Sequence, residues 1–236
     1  MKGGLFITAT DTGVGKTVIA AALATVLRER GVNVGVMKPV ATGCVRRREG
    51  LVSLDAEFLA EAADAPEPLE EISPVCLAEP LAPTVAAARA GIVIDLDAVW
   101  NAWRRLSRTH DVMLVEGIGG LLCPVTPTTV VADLVKCFGL PLLVVARSTL
   151  GTINHTVLTV EAARVRGLEV AGIVINRYHA DTTDLAEQTN PDEIQRVTGA
   201  PVLGLVPEDP ATDPSRGVVG DDVLAAVRRM PLPVRV

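Results

Sequence analysis

Aromatic side chains are scarce in this sequence: three Phe, two Trp and one Tyr make up 3% of 236 residues. A core of any size must therefore rest on Val, Leu, Ile and Ala, which favours closely packed helix–sheet layers. Basic charge is also short, with 22 Lys and Arg against 28 Asp and Glu, a formal net charge of −6. That balance removes the electrostatic footprint of a nucleic-acid binder. The one basic run, Arg46 to Arg48, reads as a solvated loop or as a contact for an anionic substrate or product. No run of eighteen apolar residues is present to span a membrane. The apolar stretch in MKGGLFITAT is too short for a secretory signal, so a cytoplasmic protein is expected. The cysteines, at 44, 76, 123 and 137, show no CxxC spacing, which argues against a zinc site or a redox pair and for reduced thiols.

What the chain does have is alternation. Short Val/Leu/Ile-rich runs at 5–10, 33–40, 111–117, 141–146, 168–176 and 201–207 read as strands. Helical patterns at 17–31, around 55–63, and at 95–108, 130–139, 154–167, 191–199 and 221–230 separate most of them. Gly31 would end the first helix, and Asp95 or Asp97 would cap the helix at 95–108. Near-continuous apolar strands between helices predict an α/β fold, a parallel sheet covered on both faces, in one domain over 1–236. In such sheets ligands bind beyond the carboxyl ends of the strands, so the segments just after each strand carry the candidate chemistry.

The first such segment is TATDTGVGKT, residues 8–17. A phosphate loop reads G-x-x-x-x-G-K-[ST], and here Thr10 stands where the first glycine belongs. The working parts remain. Gly13 and Gly15 let the backbone approach phosphate oxygens, Lys16 neutralises β/γ charge, and Thr17 offers a hydroxyl to Mg²⁺. Glu116 ends the apolar run VMLVE and occupies the position of a metal-holding carboxylate. Asp55 is ambiguous, because Ser53 or Asp55 itself would serve as a helix cap. Lys38, in KPVATG, either snorkels from a strand end or stands beside Lys16 as a second cation for a transferring phosphoryl group.

In this order TDTGVGKT, KPVATG, VEGIGGLL and LGTINHT resemble the dethiobiotin synthetases, over nearly the whole chain to about VPEDP. The resemblance implies a P-loop NTPase-like fold and an ATP-dependent ligase that closes a cyclic urea. 7,8-Diaminononanoate takes up CO₂ as a carbamate, ATP phosphorylates it, and the second amine displaces phosphate to give dethiobiotin. It further implies that Gly13, Val14, Gly15, Lys16, Thr17 and Val18 hold the nucleotide phosphates, that Lys16 and Lys38 are catalytic, and that Thr17, Asp55 and Glu116 ligate Mg²⁺. Gly117, Ile118 and Gly119 would lie by nucleotide and substrate, and Asn176, Arg177, Leu205, Val206 and Pro207 by the base. Thr12 and Thr42 would contact substrate. Leu150, Gly151, Thr152 and Asn154 would reach the substrate carboxylate of a neighbouring subunit in a homodimer, although Asn154 also reads as a helix N-cap. Ile118 stands where alanine is frequent, which would narrow the site, and Arg177 puts base selectivity in question.

Three other readings compete. A partition-type ATPase carries a lysine at the loop position that Asp11 fills here. A cofactor amidoligase typically adds a glutamine-hydrolysing domain, which these 236 residues are not expected to contain. A non-catalytic nucleotide-binding module would leave Lys38 without a purpose.

Overall fold

A computed structural model describes residues 3–48 and 50–234. In chain order the first elements are β1 (Gly3–Ala9), α1 (Lys16–Glu29), β2 (Val34–Met37), β3 (Val40–Thr42), β4 (Val45–Arg47), β5 (Gly50–Val52) and α2 (Leu54–Ala63). Then come α3 (Leu69–Ile72), β6 (Val75–Leu77), α4 (Pro83–Ala90), α5 (Leu96–Thr109), β7 (Val112–Glu116), β8 (Pro124–Thr126), β9 (Thr129–Val130) and α6 (Val131–Phe138). The chain continues through β10 (Leu142–Arg147), α7 (Thr152–Val165), β11 (Val170–Asn176), α8 (Leu185–Thr198), β12 (Val202–Val206) and α9 (Asp221–Arg229).

Six strands form one sheet in the order β12-β11-β10-β1-β7-β2, and every pairing in it is parallel. Period-two alternation divides β1 between two cores. Leu5, Ile7 and Ala9 face the layer of α1, α2 and α9, while Phe6 joins α5 and α6 on the other side. Four of the six aromatic residues sit together there, with Phe138 stacked on Phe6 and edge-on or tilted to Trp100 and Trp103. Elsewhere the core is mostly aliphatic, with Phe58 its buried aromatic on the α1 side, and Ala20, Ala21, Ala22 and Ala24 let α1 lie close to the sheet. Gly35 makes room on the other face of β2, where a Cβ would stand 2.5 Å from the Met113 sulfur.

Both layers of helices and the parallel sheet agree with the sequence reading. The run at 33–40 divides, however: β2 stops before Lys38, and Pro39 turns the chain into β3, which pairs with β6 outside the main sheet. The helix expected at 191–199 begins at Leu185, because Asp184 caps it through the Ala186 N–H and Pro191 is accommodated inside. The basic run lies on the antiparallel β4–β5 hairpin, where Arg47 pairs with Glu57. Among the described residues no helix is long and apolar enough to cross a membrane.

Candidate active site

The loops that leave β1, β2 and β7 converge at the carboxyl edge of the sheet. After β1 the chain turns through Gly13 (φ 77°) and Gly15 (φ 95°), left-handed values that glycine adopts without strain. Gly15 is the N-cap of α1 and no side chain caps that end, so first-turn N–H groups and the helix dipole face the loop's interior. The Asn176 side-chain amide donates to the Val14 carbonyl at 2.9 Å, tying the end of β11 to the loop. A Cβ on Gly15 would sit 2.1 Å from that amide nitrogen.

Lys38 follows β2 and is 3% exposed. Its Nζ lies 2.5 Å from Glu116 Oε1 and 2.9 Å from Asp55 Oδ2, and donates to the Gly117 carbonyl at 3.3 Å. Thr17 Oγ1 donates to the same Glu116 oxygen at 3.0 Å. The other, Oε2, is buried with no partner among the described residues. The ambiguity at Asp55 is thereby resolved. Ser53 Oγ accepts the Ala56 N–H and caps α2, which frees Asp55 in the first turn to meet Lys38.

Burial works against the charge on both lysines. For Lys16 it prevails and holds the pKa below the ordinary lysine value. At Lys38 burial opposes, yet the Glu116 and Asp55 carboxylates outweigh it and lift the pKa. Burial also pushes the Glu116 carboxyl up, whereas Lys38 holds Asp55 down against its own desolvation. Two cations and two acids thus balance in one partly dehydrated pocket, a fixed electrostatic frame for phosphoryl charge.

A cleft of about 750 Å³ opens over these groups. Thr12, Gly13, Gly15, Lys16, Thr17, Val18, Lys38, Thr42, Asp55, Glu116, Ile118, Gly119 and Arg177 all line it. Gly117 lies behind, where a Cβ would meet the Phe6 ring at 2.8 Å. A smaller cavity of about 170 Å³ adjoins it, lined by Gly15, Val18, Asn176, Arg177 and Pro207. Leu205 and Val206 belong to β12, which leads into that cavity. The wall made by Pro80, Leu81, Ala82 and Pro83 escaped sequence reasoning. Its only signal was a Pro-rich segment between predicted elements.

The segment Leu150, Gly151, Thr152 and Asn154 does not line the cleft. Gly151 caps α7, so Asn154 lies inside the helix and is not its N-cap, contrary to that reading. Leu150 is 78% exposed and Asn154 faces solvent, while Thr152 is fully buried. His155 borders a separate hollow with Asp11 and Leu122.

The AAA domain family model matches residues 3–216. In overall fold the chain is similar to the MinD cell division protein of Aquifex aeolicus (TM-score 0.60, 15% identity, covering 96% of this chain and 94% of that one). A ParA family ATPase from Chlorobium tepidum is similar too (TM-score 0.58, 16% identity, 97% and 92%). Those likenesses concern fold alone. In sequence the chain is 39% identical over 214 residues to the ATP-dependent dethiobiotin synthetase BioD of Thermodesulfovibrio yellowstonii, covering 88% of this chain and 89% of that one. It is 48% identical over 207 residues to the synthetase of the same name from Anaeromyxobacter dehalogenans, covering 88% and 91%. With relatives of that identity over 88% of its length, the chain belongs to the ATP-dependent dethiobiotin synthetase family.

Proposed function

We propose that this protein converts 7,8-diaminononanoate, CO₂ and ATP to dethiobiotin, ADP and phosphate. The observation that carries the reading is the convergence of Lys16, Lys38, Asp55 and Glu116 on one cleft that also holds Thr42. The nucleotide phosphates lie along Gly13 to Val18, where first-turn N–H groups and Lys16 offset their charge. One amine of the substrate takes up CO₂, and a carbamate oxygen attacks the γ-phosphorus as ADP leaves. The second amine then attacks the carbamoyl carbon, forming the C–N bond of the cyclic urea as phosphate departs. Lys38, kept charged by its carboxylates, steadies the carbamate and the phosphoryl group in passage. Thr12 and Thr42 hold the substrate, and orientation of the two amines supplies much of the rate.

A magnesium ion fits the residues present. The unpartnered Glu116 Oε2, the Thr17 hydroxyl and the half-exposed Asp55 carboxylate are hard oxygen donors, with phosphate oxygens left to complete the shell. When bound, the ion would neutralise charge developing on the bridging oxygens. Asn176, Arg177, Leu205, Val206 and Pro207 surround the base. The exposed Leu150, Gly151 and Asn154 serve the substrate carboxylate in the second subunit of a homodimer, with Thr152 fixing the helix start. All reactants are small and water-soluble, and we place the reaction in the cytoplasm.

The test mixes the protein with diaminononanoate, bicarbonate and Mg-ATP and follows phosphate and dethiobiotin. Both are expected only with the diamine present, and equal phosphate release without it would refute the reading. Sedimentation showing monomer alone at assay concentration would refute the shared site.

A further inference from the structure

Two thiols separated by 31 intervening residues meet beside the cleft. Cys76 is the middle residue of β6, and Cys44 follows β3 after Gly43. The two strands pair in parallel with Ala41 opposite Cys76 and Thr42 opposite Leu77. Just beyond β3 the Cys44 N–H donates to the Leu77 carbonyl at 3.0 Å, one residue from Cys76, and the two thiols are near enough to shift each other's ionisation. Cys44 is 6% exposed, whereas Cys76 is only half-buried, with the Ser73 hydroxyl 3.6 Å from its sulfur. Neither thiol has a part in the ligase chemistry.

We propose that Cys44 and Cys76 form a reversible disulfide site that fixes the substrate wall of the cleft. The pair sits at the root of both walls that matter: Thr42 lies two residues before Cys44, and Pro80–Pro83 follow Cys76. The walls already touch, since Gly43 (φ 72°) would place a Cβ 3.2 Å from that of Pro80. With a peroxide as oxidant, the accessible Cys76 thiolate attacks one peroxide oxygen. An S–O bond forms, the O–O bond breaks, and hydroxide leaves and takes up the proton Cys76 gave up, as water. The Cys44 sulfur then attacks the Cys76 sulfur. The S–S bond forms, the S–O bond breaks, and the hydroxyl departs with the Cys44 proton as a second water. Two thiols are oxidised and one peroxide is reduced. The order follows access: Cys76 is half-buried beside the Ser73 hydroxyl, whereas Cys44 is 6% exposed and reacts second.

The bond itself is independent of the function assigned above; its effect on substrate rests on that reading. Reduced full-length protein is treated with hydrogen peroxide and examined by intact mass and peptide mapping. Loss of two hydrogens and a linked 44–76 peptide, both reversed by dithiothreitol, are expected. Cys44→Ser should stop at a sulfenic acid on Cys76 that dimedone traps, and Cys76→Ser should leave Cys44 a thiol. Oxidation confined to Cys123 or Cys137, or a link between other partners, overturns the site. Diamine-dependent phosphate release should fall on the order of tenfold in the oxidised protein, the scale of a small misplacement of reacting groups. It should return on reduction, and the Cys44→Ser/Cys76→Ser double variant should be indifferent to peroxide. Equal turnover of oxidised and reduced protein overturns the effect on the wall. Reduced protein with no diamine-dependent turnover would defeat the ligase reading while the peptide map still decides the thiols.

Discussion

At the phosphate end of the cleft, Lys16, Lys38 and Glu116 are each less than a tenth exposed, and Glu116 accepts from both Lys38 and Thr17. Away from the cleft, at the start of α7 and on β12, Leu150, Asn154 and Leu205 face solvent. The first region settles its charges internally before any ligand arrives, as buried ions must. The second leaves its groups open, which on the proposed function is where a base, a substrate carboxylate or a second subunit would cover them. Preorganisation is concentrated where charge moves, and the parts that discriminate among ligands are left to adapt.

The sharpest way to break that contrast is Lys38→Ala. Turnover is expected to fall by about 10²–10³, the usual cost of losing one transition-state cation, while nucleotide affinity stays within a few-fold. Steady-state kinetics beside a nucleotide titration checks this, and unchanged turnover would remove Lys38 from the chemistry. Gly15→Ala should act next most strongly. Its Cβ would collide with Asn176 at a left-handed φ, costing about 1–3 kcal/mol of strain, so nucleotide affinity and Tm should fall together.

Asn176→Ala tests the seam between the two regions. It strips the buried Val14 carbonyl of its donor, about 1–3 kcal/mol, and should narrow the preference for ATP over other nucleoside triphosphates in competition assays. The smallest effect concerns Glu187 in α8, which braces the open end. Burial favours its neutral form, but hydrogen bonds from Ser148, Thr182 and His179 outweigh that and hold the carboxyl at about 2. A pKa depressed on folding adds stability above the unfolded value and loses it as pH drops toward the folded one. Glu187→Gln should therefore lower Tm at pH 7, with the gap to the parent closing between about pH 4.5 and pH 2.

Much of the phosphate end was legible because its signals are local. Gly13 and Gly15 stand in the loop after a strand, Lys16 and Thr17 open the helix that follows, and Glu116 ends an apolar run. Asp55 was not, since a first-turn carboxylate and a cap share one composition; only the Ser53 hydrogen bond separates them. The N-cap reading of Asn154 failed for a related reason. Gly151 starts α7 with a backbone conformation, and good capping chemistry two residues inside the helix goes unused. The contact of Cys44 with Cys76 was beyond reach of spacing rules, because a β3–β6 pairing joins them through tertiary structure.

One consequence of the strand order concerns how the protein is made. β1 lies between β7 and β10, so a chain leaving the ribosome carries this wholly central strand unpaired until residues 112–116 and 142–147 have followed. The nucleotide loop hangs from that strand and is fastened by Asn176, later still. A nascent chain ending before β11 would lack that fastening, so ATP would find its complete cradle only near the end of translation. Until then the first strand made exposes Leu5, Phe6 and Ile7, apolar surface of the kind that chaperones shield.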